Sequence, residues 1–332
     1  MALLKPPQGT SPGRPDVFSN FVQELLQKTT HIRLLTQTSN QGKPAALNRA
    51  FREARHPLIF TVDADTRLGP STLQQVAAGL SNPSVSAVAC NLTLFNLENW
   101  LTRWQALEYV AALSLDRRAQ HRWGTITTVP GAASGWKREV VLEQGGFSSD
   151  TLTEDADMSI ALLRSGHQIH YLPDARARTL APVTLRSLFH QRRRWIFGNL
   201  QCIWKHREVI WTRTPWKLKI VGLPNFWFSH LMSFGLFALT IAYLPRATHW
   251  LEPRPLLGLI LSILLADLCV CALAIWIDRG DVRLLFDAPL QRLGLPTFLF
   301  TTFGSVCVSK LRRTPVTWNL IRRPKIHGDL DP

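Results

Sequence analysis

Two kinds of hydrophobic pattern alternate along the first two thirds of the chain. Short apolar runs such as Leu58–Val62, typical of buried strands, are separated by stretches whose apolar residues recur three or four positions apart, as in helices. The pattern predicts strands at residues 31–35, 58–62, 85–90, 126–129 and 167–172. It predicts helices at residues 16–28, 43–54, 71–80, 97–118, 137–143, 156–165 and 185–198. Such β-α-β alternation indicates an α/β domain with a mainly parallel sheet.

The last third of the chain follows a different pattern. Residues 223–244 and 256–277 are almost wholly apolar, and each run is long enough to cross a bilayer of about 30 Å. The alternative is a pair of buried core helices. Asp267 is a charged residue within the second run, so we expect it to face protein or the interface. Residues 295–308 are too short for a clear span and are predicted to be interfacial or re-entrant.

Basic residues set the expected orientation of these runs. Five precede the first run and two lie between the runs: Lys205, Arg207, Arg213, Lys217 and Lys219, then Arg246 and Arg254. Because Lys and Arg favour the cytoplasmic side, we expect the first domain there, in a multi-pass protein of the inner membrane. The predicted organisation is a disordered start and first helix (1–30), an α/β domain (31–215), a membrane region (216–310) and a basic cytoplasmic tail (311–332).

The formal charge of +15 over 332 residues indicates anionic partners. Much of the excess flanks the apolar runs, and the chain has neither zinc-finger spacing nor an RNA-binding aromatic motif. Membrane lipids and an anionic small substrate therefore explain the charge better than nucleic acid, which we do not expect as a partner. The five cysteines form no Cys-x-x-Cys pair and are expected to be reduced.

A pair of carboxylates follows the strand predicted at residues 58–62. Asp63 and Asp65 lie at its carboxyl end, the edge where open α/β sheets bind ligands. With one residue between them, both carboxylates can approach one diphosphate, and Mg²⁺ or Mn²⁺ needs only one or two protein carboxylates when phosphate oxygens complete its shell. The alternative is that Asp-x-Asp is only turn and cap chemistry.

A second pair of acids opens the helix predicted at residues 156–165. Asp155 is the candidate general base, and Glu154 precedes it. An ordinary explanation competes, because acids in a first helical turn are stabilised by the helix dipole, and Thr151 with Glu154 has the spacing of a capping box.

An arginine cluster lies on the helix predicted at residues 185–198. Gln191, Arg194 and Trp195 share one helical face, where Arg194 could bind a diphosphate and Trp195 could stack on a sugar. Arg192 and Arg193 point elsewhere and are expected to reach towards lipid phosphate. The alternative is a cationic, aromatic stretch lying on a membrane surface.

Two further features could contact phosphate or sugar. Lys43 precedes a predicted helix, where it could reach a phosphate or simply be a solvated loop lysine. Residues 131–135 are all small, so their backbone could closely approach a sugar, or they could form a flexible loop.

Taken together, these motifs resemble the family 2 processive glycosyltransferases, which include cellulose, chitin and hyaluronan synthases. The resemblance rests on four segments in fixed order: Asn40-Gln-Gly-Lys-Pro-Ala-Ala-Leu-Asn48, Val62-Asp-Ala-Asp65, Thr153-Glu-Asp155 and Gln191-Arg-Arg-Arg-Trp195. The C-terminal segments 281–285, 289–292 and 316–319 are similar to the branch of the family that makes poly-N-acetylglucosamine. The resemblance extends over residues 31–319.

The resemblance implies a GT-A fold and an inverting transfer of N-acetylglucosamine from a UDP-sugar to a growing β-linked polysaccharide. It also implies Mg²⁺ or Mn²⁺, a glycan acceptor, membrane lipids and an accessory membrane subunit as partners. The implied roles are Asp155 as base, Lys43, Asp63 and Arg194 as donor-binding residues, Glu154, Gln191 and Trp195 as acceptor-binding residues, and Asp65 as metal ligand.

One family feature is missing from the pattern. The family opens its catalytic domain with two strands and an Asp-Asp-Gly-Ser-like segment that helps to bind uracil, and residues 1–30 supply no counterpart. We therefore expect a family member that lacks its first strands. The alternative function is a catalytically deficient membrane remnant or a non-catalytic partner of such a synthase.

Overall fold

The structure is a computed structural model that describes residues 33–37, 39–229, 235, 242 and 253–312. The helix predicted at residues 16–28, most of the apolar run beyond residue 229 and the basic tail from residue 313 lie outside these described residues.

Within the described residues, one five-stranded sheet forms the centre of the domain. Its strands are β1 (Leu58–Val62), β2 (Arg67–Leu68), β3 (Val85–Leu94), β4 (Ala133–Lys137) and β5 (Gln168–Thr179), in the spatial order β1-β4-β3-β5-β2. Only β3 and β5 pair in parallel; β1 with β4, β3 with β4, and β2 with β5 are antiparallel. The α/β class is confirmed, but the prediction of a mainly parallel sheet is wrong, because β2 and β4 run opposite to the other strands.

Two strand predictions fail for identifiable reasons. Residues 126–129 are buried but make no ladder; the Val129 N–H instead donates to Ser159 Oγ at 2.9 Å. Residues 33–35, the described part of the first predicted strand, have no regular structure. The strand Leu58–Val62 is present, but it is an outer strand of the described sheet with Leu58 36% and Val62 45% exposed, so its predicted full burial is wrong.

The helices follow the predicted pattern closely. They are α1 (Gly42–Glu53), α2 (Thr72–Ser81), α3 (Trp100–Glu108), α4 (Arg117–Trp123), α5 (Arg138–Glu143), α6 (Glu154–Arg164), α7 (Leu185–Lys205), α8 (Leu223–Trp227), α9 (Pro253–Asp278) and α10 (Ala288–Leu311). A π-helical segment, Tyr109–Asp116, joins α3 to α4, so the helix predicted at residues 97–118 is one rod with a wider central turn. Short 3₁₀ turns occur at Arg207–Ile210 and Val282–Asp287.

Apolar side chains cover both faces of the sheet. On one face, Val76 and Leu80 of α2 pack with Val88 of β3. On the other, Ile160 of α6 packs in a cluster with the buried Trp136 of β4. Burial of this apolar surface, at roughly 25 cal/mol per Å², is the main stabilising contribution to the domain and fixes the strand ends that form the site.

Helix α9 contains a candidate membrane span. Leu261–Asp278 is the one stretch of described residues long and apolar enough to cross a membrane, and only 22% of it is buried. The end of α9 packs on the domain through Cys271, Ala274 and Ile275. Asp267 accepts a hydrogen bond from Arg292 Nε at 2.6 Å, so the prediction that it faces protein is confirmed.

The start of the first apolar run lies in the protein core rather than in lipid. Leu223 and Phe226 of α8 are almost completely buried, in the same cluster as Val209 and Leu218. Residues 295–308 lie within α10, which packs along α7. Their interfacial position stays a prediction.

Candidate functional site

The first pair of carboxylates lies in a tight turn at the end of β1. The Asp63 N–H donates to Ala132 O at 3.0 Å, which holds the turn against the loop before β4. The Thr66 N–H donates to Asp63 O at 3.0 Å and closes a four-residue turn around Asp65. Asp65 is partly buried. Burial raises the pKa of the nearby Tyr109 to about 12, and the negative charge of Asp65 also favours a higher value. Both carboxylates are therefore held by backbone geometry.

The second pair of acids opens α6. Asp155 Oδ2 accepts the Gly131 N–H at 3.0 Å, and Oδ1 accepts the Ala156 N–H at 2.9 Å. Ser159 Oγ donates to the Asp155 carbonyl at 2.6 Å, which anchors the same turn. Each oxygen of Asp155 thus accepts one fixed bond and retains lone-pair capacity for a further donor. The predicted capping box is wrong: Thr153, not Thr151, is the N-cap residue, and its side chain makes no capping bond.

Lys43 lies between the two acidic pairs. From the first turn of α1 its Nζ reaches Asp63 Oδ1 at 2.8 Å, Gly131 O at 3.3 Å and Glu154 Oε1 at 3.6 Å. Burial disfavours the charged form, but the carboxylates of Asp63, Glu154 and Asp155 outweigh it and raise the pKa of Lys43 above its usual value. Lys43 is therefore a permanent cation within the acidic cluster.

Arg194, on the predicted face of α7, lies beside the segment that carries Glu154 and Asp155. Arg194 Nη1 donates to Leu152 O at 3.2 Å, just before the acidic pair of α6. Gly198, one turn further on, contacts Thr153 so closely that an added Cβ would lie 2.8 Å from the Thr153 backbone nitrogen. Gln191 and Trp195 are half-buried on the Arg194 side of α7, and the ring of Trp195 lies 4.7 Å from the Arg192 guanidinium.

The other two arginines of the cluster bind protein. Arg192 makes a bidentate pair with Glu108 of α3, at 2.8 and 2.6 Å, and Arg193 Nη2 donates to Ser309 of α10 at 2.6 Å. The expectation that they reach towards lipid phosphate is therefore wrong. Their contacts join α7 to its neighbouring helices.

Charges in the cluster act strongly on one another. Burial raises the pKa of Glu154, and the nearby Asp155 adds to the shift, while Lys43 and Arg194 oppose it. Burial lowers the pKa of Arg194, and the carboxylates of Glu154, Asp155 and Asp63 oppose that change. The four carboxylates Asp63, Asp65, Glu154 and Asp155 outnumber the three nearby cations Lys43, Arg194 and Arg117, so an anionic ligand needs additional positive charge here.

The donor set of the Asp63 turn fits a divalent cation shared with a ligand. Among the residues that the structure describes, no group of three or more His, Cys, Asp or Glu could hold a metal ion alone. A cation bound with a diphosphate requires only one or two carboxylates, which Asp63 and Asp65 supply. Thr66 Oγ1 is buried in the same turn with no hydrogen-bond partner in the described part of the chain. These hard oxygens suit Mg²⁺ or Mn²⁺.

Several residues that position the site were not singled out from the sequence. Asn48 of α1 both accepts the Phe147 N–H, at 2.7 Å, and donates to Phe147 O, at 2.8 Å, which fixes the loop that leads to α6. The buried Arg117 of α4 is close enough to act on Asp155 electrostatically. For Ser159 and Gly198 a signal existed, since each lies four residues after a candidate residue, Asp155 and Arg194 respectively, on the same helical face.

Comparison with known proteins gives consistent results. Residues 58–277 match the family described as glycosyl transferase family group 2. A poly-beta-1,6-N-acetyl-D-glucosamine synthase of Staphylococcus aureus (strain COL) is 31% identical over 188 residues, which is 56% of this chain and 45% of the relative. A synthase of the same name from Staphylococcus epidermidis is 26% identical over 233 residues, 70% of this chain and 55% of the relative. The chain thus spans about half the length of the curated relatives it matches.

A solved structure shares the fold. The mannosyltransferase PcManGT from Pyrobaculum calidifontis, in complex with GDP-Man and Mn²⁺, superposes with a TM-score of 0.57 at 19% sequence identity. The match covers 84% of this chain and 75% of that chain. The fold of the domain is therefore of the GT-A type, with a mixed sheet.

Proposed function

The chain belongs to glycosyl transferase family group 2, and we propose that it transfers N-acetylglucosamine, with inversion, from a UDP-sugar to a growing β-linked polysaccharide at a membrane. The observation that carries the proposal is the convergence of distant motifs on one point. Lys43, Asp63, Glu154, Asp155 and Arg194 belong to four separate segments and meet within hydrogen-bonding or electrostatic range. Turn and cap chemistry alone would not bring these segments together.

Asp155 is the general base of the proposed reaction. It accepts the proton of an acceptor hydroxyl as that oxygen attacks the anomeric carbon and the bond from that carbon to the nucleoside diphosphate breaks. Its two hydrogen bonds from the backbone N–H groups of Gly131 and Ala156 fix the orientation of the carboxylate. In this proposal Glu154, beside it, binds the acceptor together with Gln191 and Trp195 of α7.

Lys43, Asp63 and Arg194 bind the donor in this proposal. The ammonium of Lys43 and the guanidinium of Arg194 can both donate to diphosphate oxygens, and Lys43 would exchange its bond to Asp63 for one to phosphate. Asp63 contacts the nucleotide, and Asp65 holds the divalent cation, which when bound neutralises charge on the leaving diphosphate. The mannosyltransferase with the same fold was solved with Mn²⁺, which supports a divalent cation.

The names of the relatives support N-acetylglucosamine as the transferred sugar. Both staphylococcal proteins are poly-beta-1,6-N-acetyl-D-glucosamine synthases. We propose the same sugar for this chain, with a glycan as acceptor.

Helix α9 supports a membrane location. Its exposed apolar stretch, Leu261–Asp278, follows a domain whose C-terminal end is rich in Lys and Arg. In our proposal the chain crosses the inner membrane more than once, and the catalytic domain faces the cytoplasm, where UDP-sugars are made. Membrane lipids and an accessory membrane subunit are the further proposed partners.

The donor and the cation can be tested together. Membranes that contain the chain are incubated with labelled UDP-N-acetylglucosamine or UDP-glucose, with Mg²⁺, Mn²⁺ or a chelator. We expect label from UDP-N-acetylglucosamine in polymer, little from UDP-glucose, and none with the chelator. Incorporation that is unaffected by the chelator would refute the cation, and equal use of both sugars would refute the proposed donor.

One observation favours a second candidate, a non-catalytic partner of such a synthase. Strand β1, which precedes Asp63, is an outer strand of the described sheet and is partly exposed. If this edge left the nucleotide site incomplete, UDP with Mn²⁺ would not bind. Calorimetry of UDP binding separates the two functions, because the enzyme must bind UDP and a non-catalytic partner need not.

A further inference from the structure

We propose that a second site, on the side of α6 away from Asp155, binds a phosphoryl group. A cavity of about 410 Å³ opens between the C-terminal end of α6 and the segment that follows α7. It is lined by Gln144, Arg164, Ser165, Thr212, Arg213 and Thr214. The volume lies within the usual range for small-molecule sites, about 300–1,000 Å³.

The lining residues are suited to an anion with several oxygens. Arg164 and Arg213 supply two guanidinium groups, and none of the residues that line the cavity carries a carboxylate. The Ser165 hydroxyl donates to Gln144 Oε1 at 3.0 Å, which orients the Gln144 amide and leaves its NH₂ group as a donor. Two guanidinium groups and an amide supply the positive charge and the N–H donors that phosphate oxygens accept.

The threonine hydroxyls can join the same set. Thr212 Oγ1 and Thr214 Oγ1 donate to Val209 O over 3.5 and 3.3 Å. Bonds of this length are weak, so either hydroxyl can turn towards a charged oxygen at little cost.

Arg164 is already held in place before any ligand binds. Its Nη1 lies 3.1 Å from Nδ1 of the buried His206, and His206 Nε2 lies 2.7 Å from Asp157 Oδ1. Lys205 Nζ donates to the other oxygen of Asp157 at 2.8 Å. The remaining nitrogens of a guanidinium fixed in this way can bind a ligand with little loss of side-chain entropy.

The end of α6 could oppose an anion, because free carbonyl groups at a helix C-terminus carry partial negative charge. Here three of the last four carbonyls of α6 are paired. The backbone N–H groups of Ser165, Gly166 and His167 donate to Ala161, Leu163 and Leu162 at 3.1, 3.2 and 3.0 Å. The guanidinium groups therefore determine the sign of the local field.

Two sources can deliver a phosphoryl group to this cavity. Trp211 is 86% exposed and Trp216 58% exposed, and they flank the lining residues in the sequence. Exposed tryptophans beside basic residues are typical of a membrane interface, so the group can belong to a lipid headgroup. A soluble phosphate or diphosphate offers the same chemistry.

Binding of inorganic pyrophosphate to the full chain in neutral detergent tests the proposal, measured by calorimetry at low ionic strength without divalent cations. No nucleotide is added, because the diphosphate of UDP would itself compete for the cavity; the donor site is the same in wild type and variants, so a difference between them reports the cavity. The variants are Arg213→Ala and, as a matched control, Arg207→Ala, since Arg207 is an exposed arginine that stacks on Trp204 outside the cavity. Arg213 is exposed, so its loss does not threaten folding.

We expect pyrophosphate to bind the wild type and Arg207→Ala alike, and Arg213→Ala at least about tenfold more weakly, the usual effect of removing one charge-assisted hydrogen bond. Equal binding by Arg213→Ala and wild type, or no binding by the wild type, would overturn the proposal. Displacement by phosphatidylglycerol but not by phosphatidylcholine in the mixed micelles assigns the site to a lipid headgroup. Persistent pyrophosphate binding in both lipids assigns it to a soluble phosphate. UDP binding is measured separately, so failure here leaves the proposed transferase reaction untouched.

Discussion

Among the single residues of the site, Gly131 connects Asp155, the proposed base, to Lys43. Its N–H donates to Asp155 and its carbonyl accepts from Lys43. A Cβ at this position would lie 3.1 Å from Asp155 Oδ2 and 3.2 Å from Lys43 Nζ. Both groups are the ends of side chains, so they would shift by a few tenths of an ångström rather than unfold the turn.

Gly131→Ala should therefore reduce transfer while the protein stays folded. Small displacements of a reacting group cost up to about 100-fold in rate, so we expect kcat to fall between about 10- and 100-fold with little change in melting temperature. Gly304→Ala is the control, since a Cβ there meets nothing within 4 Å. Equal kcat in the two variants would show that Gly131 does not position the site.

Removing Lys43 should change how the stability of the protein depends on pH. Its own raised pKa keeps it charged throughout the neutral range, so its contribution is constant there. In Lys43→Met, however, Glu154 loses a cation that opposes its raised pKa. The Glu154 carboxyl of the folded protein then holds its proton at a pH where the unfolded chain has lost it. The free energy of unfolding therefore falls as pH rises, by about 1.4 kcal/mol for each pH unit by which the pKa of Glu154 rises in the variant.

Thermal unfolding in detergent at about pH 5 and about pH 8 measures this effect. We expect Lys43→Met to lose more stability relative to wild type at the higher pH. Lys217→Met, which removes an exposed lysine, should show no such difference between the two pH values. A Lys43→Met deficit that is constant with pH would contradict the coupling to Glu154.

Among the helices, α7 is held by charged contacts that could not be predicted from the sequence. The bidentate pair of Arg192 with Glu108 joins it to α3, and the two side chains are only 8% and 22% exposed. Arg193 joins it to α10. These contacts fix the helix on which Arg194 faces the acidic cluster.

Arg192→Ala should destabilise the domain by about 3–5 kcal/mol, because it leaves the Glu108 carboxylate largely buried without its partner. The melting temperature in detergent gives the measurement. Arg186→Ala removes an exposed arginine from the same helix and should change stability little. If Arg192 instead contacted lipid headgroups, the two variants would melt alike.

Helical periodicity predicted the helices well, whereas strand pairing could not be deduced. The periodicity of α1, α2, α6 and α7 lies within each segment, so their existence follows from the sequence alone. The pairing of β4 depends on neighbours far along the chain. Gly135 lies in a stretch of small residues, and only glycine fits there because a Cβ would clash with a Val76 methyl group. A small-residue stretch can form either a loop or a crowded strand.

The candidate site, too, could be predicted only in part from the sequence. The spacing of Asp63 and Asp65, of Glu154 and Asp155, and of Gln191, Arg194 and Trp195 made each group visible in the sequence. Their common centre at Lys43 depends on long-range contacts, such as the bond from Lys43 to Gly131 O, that spacing cannot reveal. Arg192 and Arg193 were misassigned for that reason.

In the molecule as a whole, an α/β domain with a mixed sheet is joined to the exposed apolar helix α9. The end of α9 packs on the π-helical segment before α4, and Arg118 pairs with Asp278 at 2.8 Å where the helix ends. The candidate span is therefore attached firmly to the catalytic domain. This arrangement places the domain close to the membrane surface if α9 crosses the bilayer.

Membrane integration can be measured directly. After alkaline carbonate extraction of membranes that contain the chain, we expect it to remain in the pellet, because a largely apolar stretch of 18 residues buried in lipid resists extraction. Quantitative release into the supernatant would show that α9 does not span the bilayer. That result would still leave the chemistry of the domain open to test.

The proposed role of Asp155 as the base of a glycosyl transfer is tested by the incorporation of labelled N-acetylglucosamine by Asp155→Asn. The amide is nearly isosteric but cannot take the proton, so we expect incorporation to fall at least about 1,000-fold. Asp150→Asn is the matched control, since this exposed carboxylate pairs only loosely with Lys205 at 3.4 Å, and it should retain wild-type incorporation. Undiminished incorporation by Asp155→Asn, with UDP binding intact, would show that Asp155 is not the base.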